Sequence, residues 1–510
     1  MHALVPLALS AFLLTVVIIS RRLRTKHNSN YPPGPPKLPF IGNVLDLDSK
    51  APWKTYQRWG EQYGPLFSFS IFDRPVFVVN SFSICRDLFD KRSHVYSDRP
   101  ELEMLNKMGW DYNLAFMRYH DKRRRKYRQL LHHGIGGPSL PAARATIVKN
   151  CDQLLLNLFR EPADFLTHVT DYASSVILEH TFGFKDQRKN KTFIYDTVLP
   201  AIEGLSESAF FGAQALFAFP FLAHLPSWFP GVNFLKVAQE QSILISKIRQ
   251  RPLDHIKRQK DMPHSAPSWA LNLLEESTHS AGDSLMETDI MDVTATALTG
   301  GFHTTASALQ TVLLAITMNP DVQAQAQEEI DRVVGHHRLP DFSDYGRLPY
   351  VTAICKEALR WHPPIPLAPH AVSETDHYMD YEIPKDITMV ANIWAVTRDT
   401  SLFKDPDNFC PERFLTKDSS FDQELLESFV WGFGRRSCPG RLFAESVLWM
   451  AVARILAVYS ISKYKTPSGL EVNVEENYVN RGLFIRPMPF QCSIAPRSEE
   501  ALELISSLSD

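Results

Sequence analysis

The segment around Cys438 combines a cysteine, glycines and arginines in a pattern suited to holding a charged ligand. It reads WGFGRRSCPGRLFAESVLWMAVARI from Trp431 to Ile455. A cysteine at a helix N-terminus meets the positive end of the helix dipole and unpaired backbone N–H groups, which favour the thiolate. Glycines let the backbone approach a ligand, and Arg436 is close enough in sequence to contact an anionic group on it. These residues indicate a thiolate site for a metal or cofactor, with a buried structural cysteine as the alternative.

A second unusual segment, TGGFHTTA, lies inside an apolar stretch that has the spacing of a long helix. Glycine costs about 0.5–1 kcal/mol relative to alanine within a helix, so Gly300 and Gly301 indicate that something lies close to the backbone. His303 follows them. From the residues alone it is a ligand, a proton carrier or a packed side chain.

At these segments the chain resembles the cytochrome P450 superfamily, whose cofactor loop is Phe-x-x-Gly-x-Arg-x-Cys-x-Gly. The sequence has Gly434, Arg436, Cys438 and Gly440 at that spacing, with Trp431 in the Phe position. The resemblance implies haem b, iron protoporphyrin IX, with the Cys438 thiolate as the metal ligand and the other loop residues around the cofactor. The aromatic exchange at Trp431 is expected to tune the iron–sulfur bond.

The resemblance extends to two further motifs. KEALRWHPPIP contains Glu357 and Arg360 at a helical i, i+3 spacing, and FCPERF contains Arg413. In the family the corresponding residues form a buried ion network behind the haem. Buried charges are tolerated when they are mutually paired, so this network is expected to be structural.

On the oxygen side of the haem the family carries Ala/Gly-Gly-x-Asp/Glu-Thr-Thr/Ser. The glycine and Thr304 match this pattern, and Thr304 corresponds to the hydroxyl that assists dioxygen protonation. His303 replaces the acid. Histidine relays protons near neutral pH, so His303 is a catalytic candidate alongside Thr304, with a purely structural role as the alternative. Iron ligation by His303 is the least favoured role because it would block the oxygen site.

The motif that holds a haem propionate in most relatives, Trp-x-x-x-Arg, is altered in this chain. Alignment on Tyr119 and Asp121 puts Arg123 at the Trp position and Tyr127 at the Arg position. We therefore take Arg123 and Arg128 as candidates for the propionate. His370, expected in a turn, is a candidate for the other propionate because some relatives use a histidine there.

The pattern predicts a mainly α fold with a minor β region, as in the cytochrome P450 fold. Helical spacing dominates from Ser81 to Tyr459, and a strand pair is predicted within Pro65–Ser81. Further strands are predicted within Tyr378–Trp394 and Leu470–Ile494. We divide the chain into an anchor (residues 1–20), a basic and Pro-rich hinge (21–40), one haem-thiolate monooxygenase domain (41–497) and a C-terminal tail (498–510).

The N-terminus predicts a transmembrane helix. Ala3–Ser20 carries no charge and precedes RRLRTK, and about 20 apolar residues span a bilayer. Positive charge after the apolar run places the rest in the cytosol; likeness to microsomal members implies a single pass in the endoplasmic reticulum membrane. Ser208–Leu235, rich in Phe and Leu, is predicted as core helices or as an apolar channel mouth that touches the bilayer.

The balance of charge gives no reason to expect nucleic acid as a partner. Lys plus Arg number 54 and Asp plus Glu 57, for a net charge of −3. The six cysteines contain no CxxC pair, which is typical of a reducing compartment.

The resemblance implies monooxygenation of a lipophilic small molecule by O2, with NADPH-derived electrons delivered by NADPH–cytochrome P450 reductase to a basic face that includes Arg435 and Arg441. Several segments resemble enzymes of filamentous fungi, which predicts a tailoring step in secondary-metabolite biosynthesis, for example of terpenoids. Three alternatives stay open at this point. They are a xenobiotic-detoxifying monooxygenase, an O2-independent haem-thiolate isomerase or dehydratase, and a non-catalytic haem-binding protein.

Overall fold

The chain is described by a computed structural model, and most of the described residues are helical. The structure describes residues 30–48, 50–72, 74–208, 216, 219–226, 229, 232–260, 267–279, 285–416, 430–481 and 483–509. The α-helices are α1 Pro52–Tyr63, α2 Phe82–Cys85, α3 Glu103–Lys107, α4 Lys122–Ile135, α5 Leu140–Arg160, α6 Phe165–Phe182, α7 Gln187–Phe193, α8 Leu199–Ser208, α9 Asn233–Lys260, α10 Trp269–His279, α11 Glu287–Gly301, α12 His303–Met318, α13 Pro320–Val333, α14 Pro349–Trp361, α15 Ile393–Val396, α16 Arg441–Val458 and α17 Glu499–Ser507. Two π-helical segments cover Arg86–Lys91 and Ile194–Val198.

The β region consists of one four-stranded sheet and three strand pairs. The strands are β1 Leu66–Ile71, β2 Arg74–Val79, β3 Leu367–Ala371, β4 Asp376–Tyr378, β5 Tyr381–Ile383, β6 Thr388–Asn392, β7 Tyr459–Lys463, β8 Tyr478–Arg481, β9 Phe484–Pro487 and β10 Cys492–Pro496. The large sheet has the order β1-β2-β6-β3, in which β2 and β6 are parallel and the other pairs antiparallel. The pairs are β10-β7, β4-β5 and β8-β9.

Two helices in the centre of the molecule position the site. α16 is buried at every residue from Val447 to Val458, as expected of a helix that is apolar on all sides. α12 is likewise buried from Thr305 to Thr317, and it packs against α16, α14 and α6. Both helices therefore run through the core, and the residues at their N-terminal ends are held by rigid surroundings.

The mainly helical prediction is confirmed, and so is the strand pair β1–β2. The expectation that His370 lies in a turn is wrong, because it belongs to β3 and pairs with Met389 of β6. The apolar stretch predicted as one long helix is two helices, α11 and α12, separated at Phe302. The glycines before Phe302 weaken the helix at that point.

Over the part of the chain that the structure describes, no helix is both long and apolar enough to cross a membrane. The anchor predicted for residues 1–20 lies outside the described residues, as does much of Ser208–Leu235.

Candidate cofactor and active site

The loop that carries Cys438 folds back on itself before α16 begins. Gly432 and Gly434 have φ values of +77° and +47°, a left-handed conformation that glycine adopts at little cost. A Cβ atom on Gly434 would lie 2.3 Å from the carbonyl oxygen of Phe89, so only glycine fits there. The loop closes through the Cys438 N–H, which donates to the carbonyl of Trp431 at 2.8 Å. Trp431 thus fixes the backbone of the cysteine.

The Cys438 side chain is accessible to solvent at the start of α16. It nevertheless lies in dense protein, and this burial raises the pKa of the thiol above its ordinary value. The two observations agree if the sulfur lies inside the protein but faces an internal space. Its accessible surface shows that this space is open to a ligand. The Gly440 N–H and the charge of Arg128 act in the opposite direction and favour the thiolate.

Two arginines near the loop form no ion pair with a carboxylate among the described residues. Arg436 donates to the carbonyls of Ser97, Leu114 and Met117 at 2.7, 3.3 and 2.8 Å. Arg99 donates to the carbonyls of Ala115 and Pro369.

The charge of this pair is costly in the protein by itself. Burial lowers the pKa of both guanidinium groups, and for Arg436 the charges of Arg99 and Arg124 lower it further. The charge of Asp98 offsets this in part. Neighbouring half-buried cations whose hydrogen bonds go to neutral carbonyls leave room for an anionic ligand. The donor set therefore fits the propionates of a haem.

His370 lies in the same cluster as these arginines. Its Nδ1 donates to the carbonyl of Tyr96 at 2.8 Å, and its ring packs on Phe89 with 4.4 Å between ring centroids. Burial lowers the pKa of His370 well below its ordinary value, and the charges of Arg99 and Arg436 add to this. A neutral imidazole with its Nδ1 proton committed to a carbonyl is held in one orientation.

The two arginines of α4 that were predicted for the propionate occupy different places. Arg123 forms an ion pair with Asp121 at 2.8 Å and lies 3.9 Å from Asp292 of α11. Arg128 donates to the carbonyl oxygen and the hydroxyl of Ser437 at 3.0 and 3.1 Å, directly before Cys438. The structure thus brings Arg128 to the cysteine loop and gives Arg123 carboxylate partners.

The break between α11 and α12 leaves one face of the core open. Gly300 is exposed, and a Cβ atom built on it would have no neighbour within 4 Å. Thr304 is half-buried and its hydroxyl donates to the Gly300 carbonyl at 2.9 Å. Thr305 makes the equivalent bond to Gly301 at 2.7 Å but is buried. Thr304 and Gly300 therefore present a small polar group and free space side by side.

His303 lies in the break but packs away from solvent. Only 7% of it is exposed, and its ring lies 4.9 Å from that of Phe484 on β9. Its Nδ1 has no hydrogen-bond partner among the described residues. Burial lowers the pKa of His303 to about 4, with a further contribution from the charge of Arg486. The side chain is neutral at physiological pH.

The ion network expected behind the cofactor is confirmed. Arg360 binds both oxygens of Glu357 at 2.6 and 2.7 Å, and both side chains are fully buried. Arg413 donates to the same carboxylate at 3.2 Å, and the Cys410 N–H at 2.8 Å. Glu357 is thus shared by two arginines, and such pairing is the condition for a stable buried charge.

Sequence reasoning missed Arg99 and Asp90. Arg99 stands in a loop before a proline, where no periodicity marks a side chain as inward-facing. Asp90 lies on the π-helical segment Arg86–Lys91 and accepts the Gly434 N–H at 2.5 Å. Both residues are far from the cysteine in sequence, and only the fold brings them to its loop.

Comparison with known proteins gives a consistent result. A family model described as "Cytochrome P450" matches residues 32–486. The chain is similar to cytochrome P450 monooxygenases of Armillaria gallica, 36% identical over 506 residues, and of Coprinopsis cinerea, 35% identical over 518 residues, with 98% of each chain covered in both pairs. It is 33% identical over 486 residues to a cytochrome P450 monooxygenase of Ampulloclitocybe clavipes, which covers 94% of this chain and 89% of that protein.

Proposed function

This chain belongs to the cytochrome P450 family of monooxygenases, and from that premise we propose that it tailors a lipophilic small molecule in fungal secondary metabolism, with terpenoids as the first class to test. The observation that carries the proposal is an accessible Cys438 at the start of α16, near half-buried arginines that form no ion pair with a carboxylate among the described residues. The fungal monooxygenases to which it is similar support the fungal setting, and the terpenoid class follows from the resemblance of several sequence segments to fungal tailoring enzymes.

The proposed cofactor is haem b with Cys438 as its iron ligand. When bound, it supplies the redox centre at which O2 is reduced, and a thiolate ligand favours O–O cleavage. Arg436, Arg99 and His370 are the residues best placed to hold the propionates, because two are half-buried cations and the third is an imidazole near their charges that packs on Phe89. A propionate contact by Arg123 stays a prediction. Its ion pair with Asp121 makes it less suited to this role than Arg436 and Arg99.

On the reacting side, Gly300 leaves space and Thr304 holds a proton on an accessible hydroxyl. We assign the proton relay to His303, the neighbour of Thr304. A neutral imidazole donates the proton on one nitrogen while its other nitrogen accepts a proton, so the two transfers together leave the ring neutral. Replacement of His303 by Phe tests this role: product formed per NADPH should fall, and an unchanged ratio would rule the relay out.

Electrons are proposed to come from NADPH–cytochrome P450 reductase at the face that carries the cysteine loop. Arg435 is exposed there and contacts Tyr119, while Arg441 at the start of α16 pairs with Glu445. Positive charge on this face would steer an acidic partner, and the rate of reduction should then fall as salt is added.

A membrane location in the endoplasmic reticulum, through the anchor at residues 1–20, is supported by an exposed apolar patch. The patch comprises the exposed Phe40, Leu45, Phe219 and Phe221 and the half-buried Phe72, whose N–H donates to the carbonyl of Ile41 beside Phe40. Phe40 is 82% exposed and adopts a φ of +66°, which is an uncommon backbone conformation for an aromatic residue. Phe72 and Phe219 rings lie 5.3 Å apart, so two distant segments meet in one surface. Binding of the full chain to lipid vesicles should weaken when Phe40 and Phe221 are replaced by Ser.

The deciding experiment combines the purified full chain with haem, reductase, NADPH and a panel of terpenes, steroids and aromatic compounds. Binding spectra identify a ligand, and product analysis under O2 and under argon then tests the reaction. We expect an oxygenated product that requires both O2 and NADPH. Product formed under argon would instead indicate an isomerase or dehydratase, and an absence of turnover with every ligand that binds would indicate a binding protein.

A further inference from the structure

The cysteine loop is held at both ends by charged side chains that lie outside the loop itself. At its start, Asp90 accepts the N–H of Gly434 at 2.5 Å. At its end, Arg128 donates to the carbonyl and hydroxyl of Ser437 at 3.0 and 3.1 Å. The two contacts are at opposite ends of a segment that consists of the short 3₁₀ turn Gly434–Arg436 and Ser437, the residue before Cys438.

The contact at Gly434 is enforced by the backbone as well as by the carboxylate. Gly434 packs so closely on the π-helical segment that a Cβ atom would lie 2.3 Å from Phe89 O, one residue before Asp90. Asp90 therefore caps the first free N–H of the turn from a neighbouring element, as an N-cap residue does within a helix. Loss of this acceptor would leave the N–H without a partner next to a crowded backbone.

The contact at Ser437 brings a positive charge to the cysteine. The guanidinium of Arg128 is partly buried, and its charge and that of the Cys438 thiolate stabilise each other. A cation at this place favours any state of the site that carries one more electron, because Coulomb interactions are stronger away from bulk water. Asp90 places a carboxylate of the opposite charge at the other end of the loop.

We propose that Asp90 and Arg128 form a two-sided clamp that positions the Cys438 loop and sets the reduction potential of the cofactor it holds. This inference rests on the proposed haem-thiolate function. Both residues are positioning residues, since each acts on the ligand through the loop. Arg128 thereby has a role other than the propionate contact expected from the sequence.

The first test measures the loop itself and does not need the cofactor. Deuterium uptake of the peptide spanning residues 430–441 should rise in Asp90→Ala and in Arg128→Gln, in the full chain with and without haem. Asp87→Asn, on the same π-helical segment, and Arg125→Gln, on the same helix as Arg128, are matched controls that should not change it. Asp87 binds Lys91 and Tyr378, and Arg125 is exposed. Unchanged uptake in both clamp variants would overturn the proposal.

The second test separates charge from shape. Asp90→Asn keeps an acceptor and removes the negative charge, so the potential should rise. Arg128→Gln removes the positive charge, so the reduction potential should fall by about 59 mV, which corresponds to a tenfold change in the one-electron equilibrium constant. Arg128→Lys keeps the charge, so it should stay near the wild-type potential while its loop exchanges faster. Shifts of the same sign in Asp90→Asn and Arg128→Gln would overturn the clamp as a determinant of the potential.

Failure of the proposed haem-thiolate function and failure of the clamp give different results. The carbon monoxide spectrum of the reduced wild type reports whether Cys438 ligates the haem at all. If that spectrum lacks the thiolate signature, the proposed function fails, and the deuterium uptake of the apoprotein still decides the clamp. If the signature is present while uptake and potential are unchanged in the variants, only the clamp fails.

Discussion

The Cys438 loop and the break between α11 and α12 are two interruptions of regular structure in one core, and they are built in opposite ways. In the loop, Gly434, Cys438 and Arg436 each have defined partners, and the backbone is too crowded for any side chain at Gly434. In the break, Gly300 has free space, and His303 Nδ1 has no partner among the described residues. The cysteine loop is therefore fixed by its contacts, whereas the break keeps free space and polar capacity.

Replacement of the ligand gives the largest expected effect. Cys438→Ser keeps the size of the side chain but replaces the thiolate with a poor iron ligand, so the thiolate signature in the carbon monoxide spectrum and all O2-dependent product should be lost. Cys410→Ser is the matched control, since Cys410 is also partly exposed but lies beside Glu412. A wild-type spectrum in Cys438→Ser would refute the assignment of the ligand.

Two Gly→Ala substitutions test the contrast directly. Gly434→Ala forces a Cβ into Phe89 O and a non-glycine residue into a left-handed conformation, which alone costs about 1–2 kcal/mol. Gly300→Ala meets no neighbour and should stabilise the helix by about 0.5–1 kcal/mol. Chemical denaturation and haem retention measure both. The contrast fails if the two variants change stability in the same direction.

The two threonines after the break form a second matched pair. Thr304 and Thr305 make the same bond to the carbonyl four residues before, but only Thr304 is accessible. Thr304→Ala should leave folding nearly unchanged and lower product formation by about 10²-fold, the range of a positioned proton donor, while NADPH consumption continues with release of hydrogen peroxide. Thr305→Ala should cost about 1 kcal/mol of stability and leave coupling intact. Equal coupling in both variants would remove Thr304 from the catalytic residues.

The sequence predicted those parts of the site whose residues are close together along the chain. The Gly434-to-Gly440 spacing and the Glu357–Arg360 pair are local patterns, and a local pattern survives folding. Arg99 and Asp90 lie near the loop because of tertiary contacts, so no spacing in the sequence predicts their position. The propionate candidates show the same limit. Arg123 and Arg128 are five residues apart on α4 and therefore point in different directions, so that Arg123 pairs with Asp121 and Arg128 with Ser437.

His370 and the α11–α12 break show a different limit. His370 stands next to a proline in LAPHAV, which reads as a turn, yet pairing with β6 makes it part of a strand. The break could be suspected from two glycines but not located, because the interruption at Phe302 depends on packing around the next turn. Tertiary context decided both.

The titration of His303 is expected to change stability only as the pH changes, and its sign follows from the direction of the pKa shift. The pKa is about 4 in the folded protein, below the ordinary value of 6.5, so the unfolded chain binds the proton more tightly. Well above pH 6.5 the titration of His303 therefore has no effect on the free energy of unfolding. As the pH falls from about 6.5 to about 4, this free energy decreases, and below about pH 4 it changes no further. Between pH 7 and pH 5 the loss is about 2 kcal/mol.

His303→Phe keeps the packing on Phe484 and removes the titration, so its urea unfolding curves should depend less on pH over this window than those of the wild type. If His303→Phe and the wild type lose stability in parallel, His303 already has a partner for its proton in the folded state. The reacting side would then be as completely paired as the cysteine loop.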